Sequence, residues 1–323
     1  MYPSIPYVSL AEVSEQLDTW GILGIPFVFY INYDGSQAWA GTEEEAKALG
    51  IHFSIRQENP LHAGSFNLSK SPISFESYES KFNLVQAGLK RGDSFLVNLT
   101  AETPIETDAS LAQIFQNANA LYKLQVQDAF VVFSPECFVQ IRDQKIYSYP
   151  MKGTSSATEQ GPEMLQNDPK EQAEHATIVD LIRNDLSQVA FPIHVDRYKY
   201  VEEIKTHEGN LWQMSSVISG DIMPKFQSKL GQILQALLPA GSITGAPKAS
   251  TMQIIKDAEA YDRGFYTGIM GQFDGKNLDS GVMIRFIEQR GQQKIFKSGG
   301  GITIKSDPRK EYEELIQKVY LPF

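Results

Sequence analysis

Short β-branched and aromatic runs separated by hairpin-length gaps constrain this chain more than any other feature. Cys137–Ile141 and Lys145–Tyr149 flank only Arg142–Gln144. Such a gap joins antiparallel neighbours and is far too short for the crossover between parallel strands. Further strand-like runs are Ile25–Ile31, Ser94–Thr100, Ala129–Phe133, Leu211–Ile218, Gly281–Glu288 and Lys294–Lys297. Amphipathic helices are expected between them. One apolar stripe is Tyr78, Phe82, Val85 and Leu89, and a second is Leu111, Ile114, Phe115, Ala118 and Tyr122. A third is Phe226, Leu230, Ile233, Leu234 and Leu237. The last helix opens at Ser306-Asp307-Pro308, a capping residue followed by proline at the first helical position. Hairpins mixed with irregularly placed helices predict an α+β fold with antiparallel sheets, not βαβ alternation. No linker-like stretch divides the chain, so residues 1–323 are expected to form a single domain, with 1–70 its strand-rich N-terminal part.

The 42% hydrophobic and 21% charged composition is that of a chain able to bury a large core, which excludes intrinsic disorder. Lysine plus arginine total 29 against 39 aspartate plus glutamate, a net charge of −10 that disfavours nucleic-acid and anionic-membrane partners. The first 46 residues hold no Lys or Arg, unlike a signal peptide, and the apolar run Gly24–Ile31 is too short to span a bilayer. The one cysteine, Cys137, excludes an intramolecular disulfide and a cysteine metal cage. A soluble cytoplasmic protein is expected.

Three groups of residues offer chemistry. His52, His62, His175, His194 and His207 are not among them, since they lack the spacing of a helical metal site. Gly241–Lys248 has Ala-Pro where a phosphate loop requires Gly-Lys, and Gly299-Gly300-Gly301 precedes a strand-like 302–305 rather than a helix. Either is an ordinary turn or an N–H cradle for a carboxylate. Glu311 and Glu314 share a face of the last helix, while Glu174 and Asp180 sit on a helix spanning Glu171–Asp185. Glutamates from two helices suit a hard divalent cation, though a solvated acidic face is the simpler account of the spacing. Finally, Glu136 and Lys152 bracket the Cys137–Tyr149 hairpin and should meet at its open end, as an acid and an amine or as a surface ion pair.

Read in order, Ser134-Pro135-Glu136, Pro150-Met151-Lys152-Gly153-Thr154, Ile178–Asp185, Gly241–Lys248, Arg263-Gly264-Phe265-Tyr266 and Ser298–Ile302 resemble the chorismate-utilising enzymes. These are the anthranilate, aminodeoxychorismate, isochorismate and salicylate synthases. The match runs from about Phe75 to the C-terminus, making 75–323 the catalytic region. The resemblance implies one α+β unit with antiparallel sheets packed together and helices outside. It implies Mg²⁺ held by Glu174 and Glu314 with Glu311 behind them, and Glu136 as general acid for the departing C4 hydroxyl. Tyr266, Arg285, Gly299, Gly301 and Lys318 match positions that bind chorismate's carboxylates, and Thr154 and Ser242 match other polar positions of that site. Guanidinium and glycine N–H groups suit planar carboxylates on physical grounds as well.

Within the family, Lys152 stands where anthranilate synthases normally carry alanine, which resembles the aminodeoxychorismate branch. There this lysine is thought to add at C2 before ammonia arrives at C4. Leu96 aligns with the lysine that activates water in isochorismate and salicylate synthases, so the base of that reaction is missing. Trp212 stands where many relatives carry histidine. The implied reaction is amination of chorismate to 4-amino-4-deoxychorismate, on the route to para-aminobenzoate and folate. An anthranilate synthase large subunit and a catalytically silent chorismate-binding regulatory subunit are the alternatives. Cys137 reads as a core residue, so ammonia is expected from a separate glutamine amidotransferase subunit or from solution. For this chemistry Glu136 should have a raised pKa, and enclosure beneath the substrate together with nearby Mg²⁺ should lower that of Lys152.

Overall fold

The hairpin that opens the sequence argument forms as expected: Cys137–Arg142 pairs antiparallel with Lys145–Ser148. This computed structural model describes residues 2–57, 66–156, 158, 160–206 and 209–321. Among them, nine strands make one sheet and eight another. The first runs Met151–Ser156, Gly209–Ile222, Lys145–Ser148, Cys137–Arg142, Leu278–Val282, Ile269–Phe273, Phe27–Ile31, Ala38–Gly41, with Ala190–Thr206 also on Gly209–Ile222. The second runs Gly245–Ala246, Leu96–Thr107, Gln293–Ile302, Phe286–Arg290, Phe130–Ser134, Tyr122–Val126, Ile51–Ile55, with Leu68–Lys70 on Leu96–Thr107. Pairing is antiparallel in both, as the α+β reading requires.

Phe27–Ile31 shows why some strands read as unbroken apolar runs. Alternate residues of a strand point to opposite faces. Val28 and Tyr30 enter the core between the sheets beside Tyr122, Leu124, Val132 and Phe286. Phe27, Phe29 and Ile31 enter a second core under the helices Leu10–Leu23 and Leu230–Leu237. Both faces are covered, so both must be apolar. The outer face of the second sheet is covered by Phe75–Arg91, Lys248–Glu259 and Pro308–Gln317, around Phe82, Val85, Leu99, Ile255 and Leu315. Cys137 is buried in the inter-sheet core, where burial pushes its thiol up to about 12. Among the described residues no helix is long and apolar enough to cross a membrane.

Several boundaries differ from expectation. Gly281–Glu288 is not one strand: Leu278–Val282 belongs to the first sheet, Phe286–Arg290 to the second, and Arg285 between them has φ +53°. Its apolar composition marks burial and carries no sign of the change of sheet. The Lys294–Lys297 run extends over Gln293–Ile302, so the triple glycine is strand paired with Asn98, Leu99 and Thr100, and no strand covers 303–305. Tyr122 begins a strand instead of ending a helical stripe, and Phe226 lies in a 3-10 turn before Leu230–Leu237. Asp307 caps Pro308–Gln317 by accepting from the Lys310 N–H at 3.0 Å, as the sequence predicts.

The chain changes sheet at two places that touch. Pro135 and Glu136 link Phe130–Ser134 to Cys137–Arg142, and Met283–Arg285 links the later pair. The Val282 N–H donates to the Glu136 carbonyl at 3.0 Å, and the Phe133 N–H to the Arg285 carbonyl at 3.1 Å. A cavity opens beside these crossovers.

Candidate active site

The cavity has a volume of about 580 Å³ and is walled by both crossovers, the glycine run, one face of the helix Pro169–Leu186 and the helices Leu230–Leu237, Gly241–Thr244 and Pro308–Gln317. Its charged residues are Glu136, Lys152, Glu171, Glu174, Asp185, Arg285, Glu314 and Lys318. Ser242, Tyr266, Gly299 and Gly301 line it as well, and so does Leu96. The helix Pro169–Leu186 presents Glu171, Glu174, Ile178, Ile182 and Asp185 along one face, the spacing of successive helical turns. Asp180 points away, its side chain 80% exposed and paired with Arg183.

Glu136 leaves the crossover with its N–H donating to Ser134 Oγ at 3.1 Å and accepts from Ser242 Oγ at 2.9 Å. Burial raises its pKa, while the Ser242 hydrogen bond and the Arg285, Lys318 and Lys152 charges draw it partly back. A carboxyl so placed favours the protonated form that a general acid requires. Ser242 is held in turn through Gly241, whose N–H donates to Asp185 at 3.0 Å, and Lys248 pairs with Asp185 at 2.9 Å. Asp185 therefore positions the hydroxyl that touches Glu136. The sequence reading quoted Asp185 without a role, although it lies three turns beyond Glu174 on the same helix face.

Lys152 Nζ stands 2.9 Å from Glu174 Oε2. The protein groups around it shift its pKa upward. Burial is the largest single influence and disfavours the ammonium, but Glu174, Glu314 and Glu171 together outweigh it, and the net shift is upward. The lowering expected from substrate and Mg²⁺ must therefore overcome these three carboxylates. Gly153 is required beside it: φ is +85°, and a Cβ there would stand 2.7 Å from Glu171 Oε2. Thr154 pairs in register with Gln213, and its side chain lies outside the described residues.

Lys318 Nζ bridges Glu314 at 2.7 Å and the Gly299 carbonyl at 2.8 Å. Gly300 faces the same group: a Cβ on it would be 3.6 Å from Glu311 Oε2 and 3.7 Å from Glu314 Oε1. Glu311 itself is buried behind the lining. The glycine run thus acts as strand backbone laid close to charged side chains, not as a turn. Among the described residues no three His, Cys, Asp or Glu side chains are grouped closely enough to hold a metal by themselves. Glu174 and Glu314 still offer oxygen donors from two helices, the chemistry of a hard cation that keeps waters and takes substrate oxygens.

Two further residues find their places here. Gln213, not Trp212, is the residue that Gly209–Ile222 presents to the cavity, and the Trp212 indole N–H donates to the Thr158 carbonyl at 3.0 Å. His175 is buried beneath the site, its Nε2 2.7 Å from Ser216 Oγ and its pKa lowered to about 4, chiefly by burial. His62 and His207 lie outside the described residues.

A family model described as chorismate binding enzyme matches residues 32–322. An uncharacterized PabA-like protein of Pasteurella multocida is 48% identical over 322 residues, covering 98% of this chain and 99% of its own length. Aminodeoxychorismate synthase component 1 of Bacillus subtilis is 30% identical over 281 residues. That match covers 82% of this chain but only 58% of the relative, so the chain spans a little over half the length of that synthase. Among solved structures, the menaquinone-specific isochorismate synthase of Escherichia coli superposes with a TM-score of 0.72 at 18% identity, covering 98% of this chain and 82% of its own. That likeness establishes the fold.

Proposed function

From the premise that the chain belongs to the chorismate-binding enzyme family, we propose that it aminates chorismate to 4-amino-4-deoxychorismate. The observation carrying this reading is Lys152 in the cavity wall, with the half-buried acid Glu136 in the same cavity. Arg285 and Lys318 supply positive charge for the substrate carboxylates, and the glycine strand lets them approach backbone. Glu174 and Glu314 would hold Mg²⁺, with Glu311 behind them; once bound, the ion neutralises carboxylate charge brought in by the substrate.

In this reading Lys152, as a neutral amine, forms a bond to C2 while the C4–O bond breaks. Glu136 gives its proton to the departing hydroxyl, which leaves as water. Ammonia then bonds to C4 as the C2–Nζ bond breaks, and the proton it sheds restores Glu136. Chorismate plus ammonia becomes aminodeoxychorismate plus water. Ser242 holds the proton-bearing carboxyl on target. Leu96, which cannot activate water, leaves ammonia as the nucleophile.

The nitrogen source in this reading is a separate glutamine amidotransferase or free ammonia. The thiol of Cys137 is buried and its pKa is raised, the reverse of an activated glutaminase nucleophile. Product chromatography with chorismate, Mg²⁺ and ammonium salt tests the proposal. Aminodeoxychorismate is expected. Anthranilate or isochorismate would reject it, and no turnover with intact chorismate binding would favour a silent subunit.

A further inference from the structure

We propose that Glu174 is shared between the Lys152 ammonium and the divalent cation, so that cation binding frees Lys152 for the substrate. The inference rests on the reading above, in which Glu174 and Glu314 receive the ion. It concerns how that ion and the reacting amine are coupled.

Each of those glutamates already carries a positive partner, and the two partners are held differently. Lys318 lies one turn beyond Glu314 on the same helix end, 2.7 Å from its carboxylate and 2.8 Å from the Gly299 carbonyl. Losing Glu314 would leave Lys318 its backbone anchor. Lys152 comes from a strand and has, among the described residues, the Glu174 carboxylate as its anchor at 2.9 Å. The side chains of this pair are 35% and 17% exposed, so solvent screens them only in part. A divalent ion on Glu174 would stand within a few ångströms of an ammonium, and like charges so close repel strongly. The ammonium must therefore swing off as the ion arrives. Glu171 lies close against Gly153, the next residue along the strand. Without the ion Lys152 serves as the counter-charge of Glu174; with the ion it turns to the substrate.

The test uses the whole chain without chorismate, and Mn²⁺ as the probe ion, followed by electron paramagnetic resonance. Lys152→Met keeps the length of the stem and removes the competing charge, and a melting curve checks that it folds. Mn²⁺ affinity is expected to rise at least about tenfold. In parallel, wild-type protein is pulsed with acetic anhydride with and without Mg²⁺, and labelling is mapped by mass spectrometry. Lys152 labelling should rise several-fold with Mg²⁺, while Lys318 and the exposed Lys47 stay constant. Wild-type Mn²⁺ binding with unchanged affinity in Lys152→Met, or unmoved Lys152 labelling, overturns the exchange and leaves the amination reading standing. No Mn²⁺ binding by the wild type overturns both the exchange and the cation site. An exchange that behaves as expected in a protein yielding no aminodeoxychorismate supports the exchange and rejects the amination.

Discussion

Two charged regions adjoin in this molecule, and they are built on opposite principles. At Glu259 and Arg263 the side chains are 1% and 2% exposed and paired at 2.6 Å. Glu259 Oε1 also accepts from the Thr100 N–H and hydroxyl, while Arg263 donates to the carbonyls of Asn98 and Ile243. Those bonds tie the strand Leu96–Thr107 to the helix Gly241–Thr244 that carries Ser242. The cavity pairs, Lys152 with Glu174 and Lys318 with Glu314, are partly exposed and lie along a wall left open. A buried charge network is stable only when each member is satisfied, and then it has no partner to exchange. Charges meant for a ligand must remain exchangeable. The saturated hub holds the frame, and the open pairs are the charges a ligand could engage.

The largest effect should come from the hub. Arg263→Leu leaves the Glu259 carboxylate buried and uncompensated, at about 3–5 kcal/mol of stability. Urea or thermal unfolding reads this; a loss below about 1 kcal/mol would erase the distinction between the regions. In the cavity the order reverses, with little change in stability and a large change in rate. Lys152→Ala should cut amination at least about 10²-fold, and Lys152→Arg should fail too, since guanidinium stays protonated. Near-normal product from both would remove the lysine from the chemistry.

A smaller effect is expected at the carboxylates. Glu174→Gln and Glu314→Gln keep shape and lose charge, so the Mg²⁺ concentration for half-maximal turnover should rise about tenfold or more. An unshifted Mg²⁺ titration in both would reject them as ligands. The smallest effect is a pH dependence of stability. The native pKa of Glu136 is raised above 4.5 by burial, so the folded state retains a proton that the unfolded chain releases. Its contribution is present below the ordinary carboxylate range and is lost as pH rises through the native value. Glu136→Gln lacks this loss. Its melting temperature relative to wild type should therefore climb from about pH 4 upward and then level. A flat difference would mean that Glu136 is solvated.

Much of the site was legible because motifs bring their spacing with them. Glu136, Lys152, Ser242, Tyr266, Arg285 and Lys318 all line one cavity, as do Glu174 and Glu314. The departures from the structure have separate causes. Gly281–Glu288 looked like one strand because two buried strands and the turn between them are equally apolar. Trp212 stands where relatives carry histidine, but its neighbour Gln213 faces the cavity, since one residue along a strand exchanges the faces. The helix Leu10–Leu23 was not anticipated, although Ser9 and Glu12 form a capping box that signals its start.

The sequence alone determined what depends on neighbours along the chain. Hairpin gaps imposed antiparallel pairing, Asp307-Pro308 set the last helix, and the order of motifs carried the family. Which carboxylate meets which lysine depended on packing between elements far apart in sequence. Lys152 reaches Glu174 only because Met151–Ser156 and Pro169–Leu186 pack on the same sheet edge. Glu136 meets Ser242, 106 residues away, only because Asp185 and the Glu259–Arg263 hub hold that helix in place. A pKa is set by the charges and burial around a group, and those exist only once the sheets and helices have closed. That is why the upward shift at Lys152 could be seen only in three dimensions.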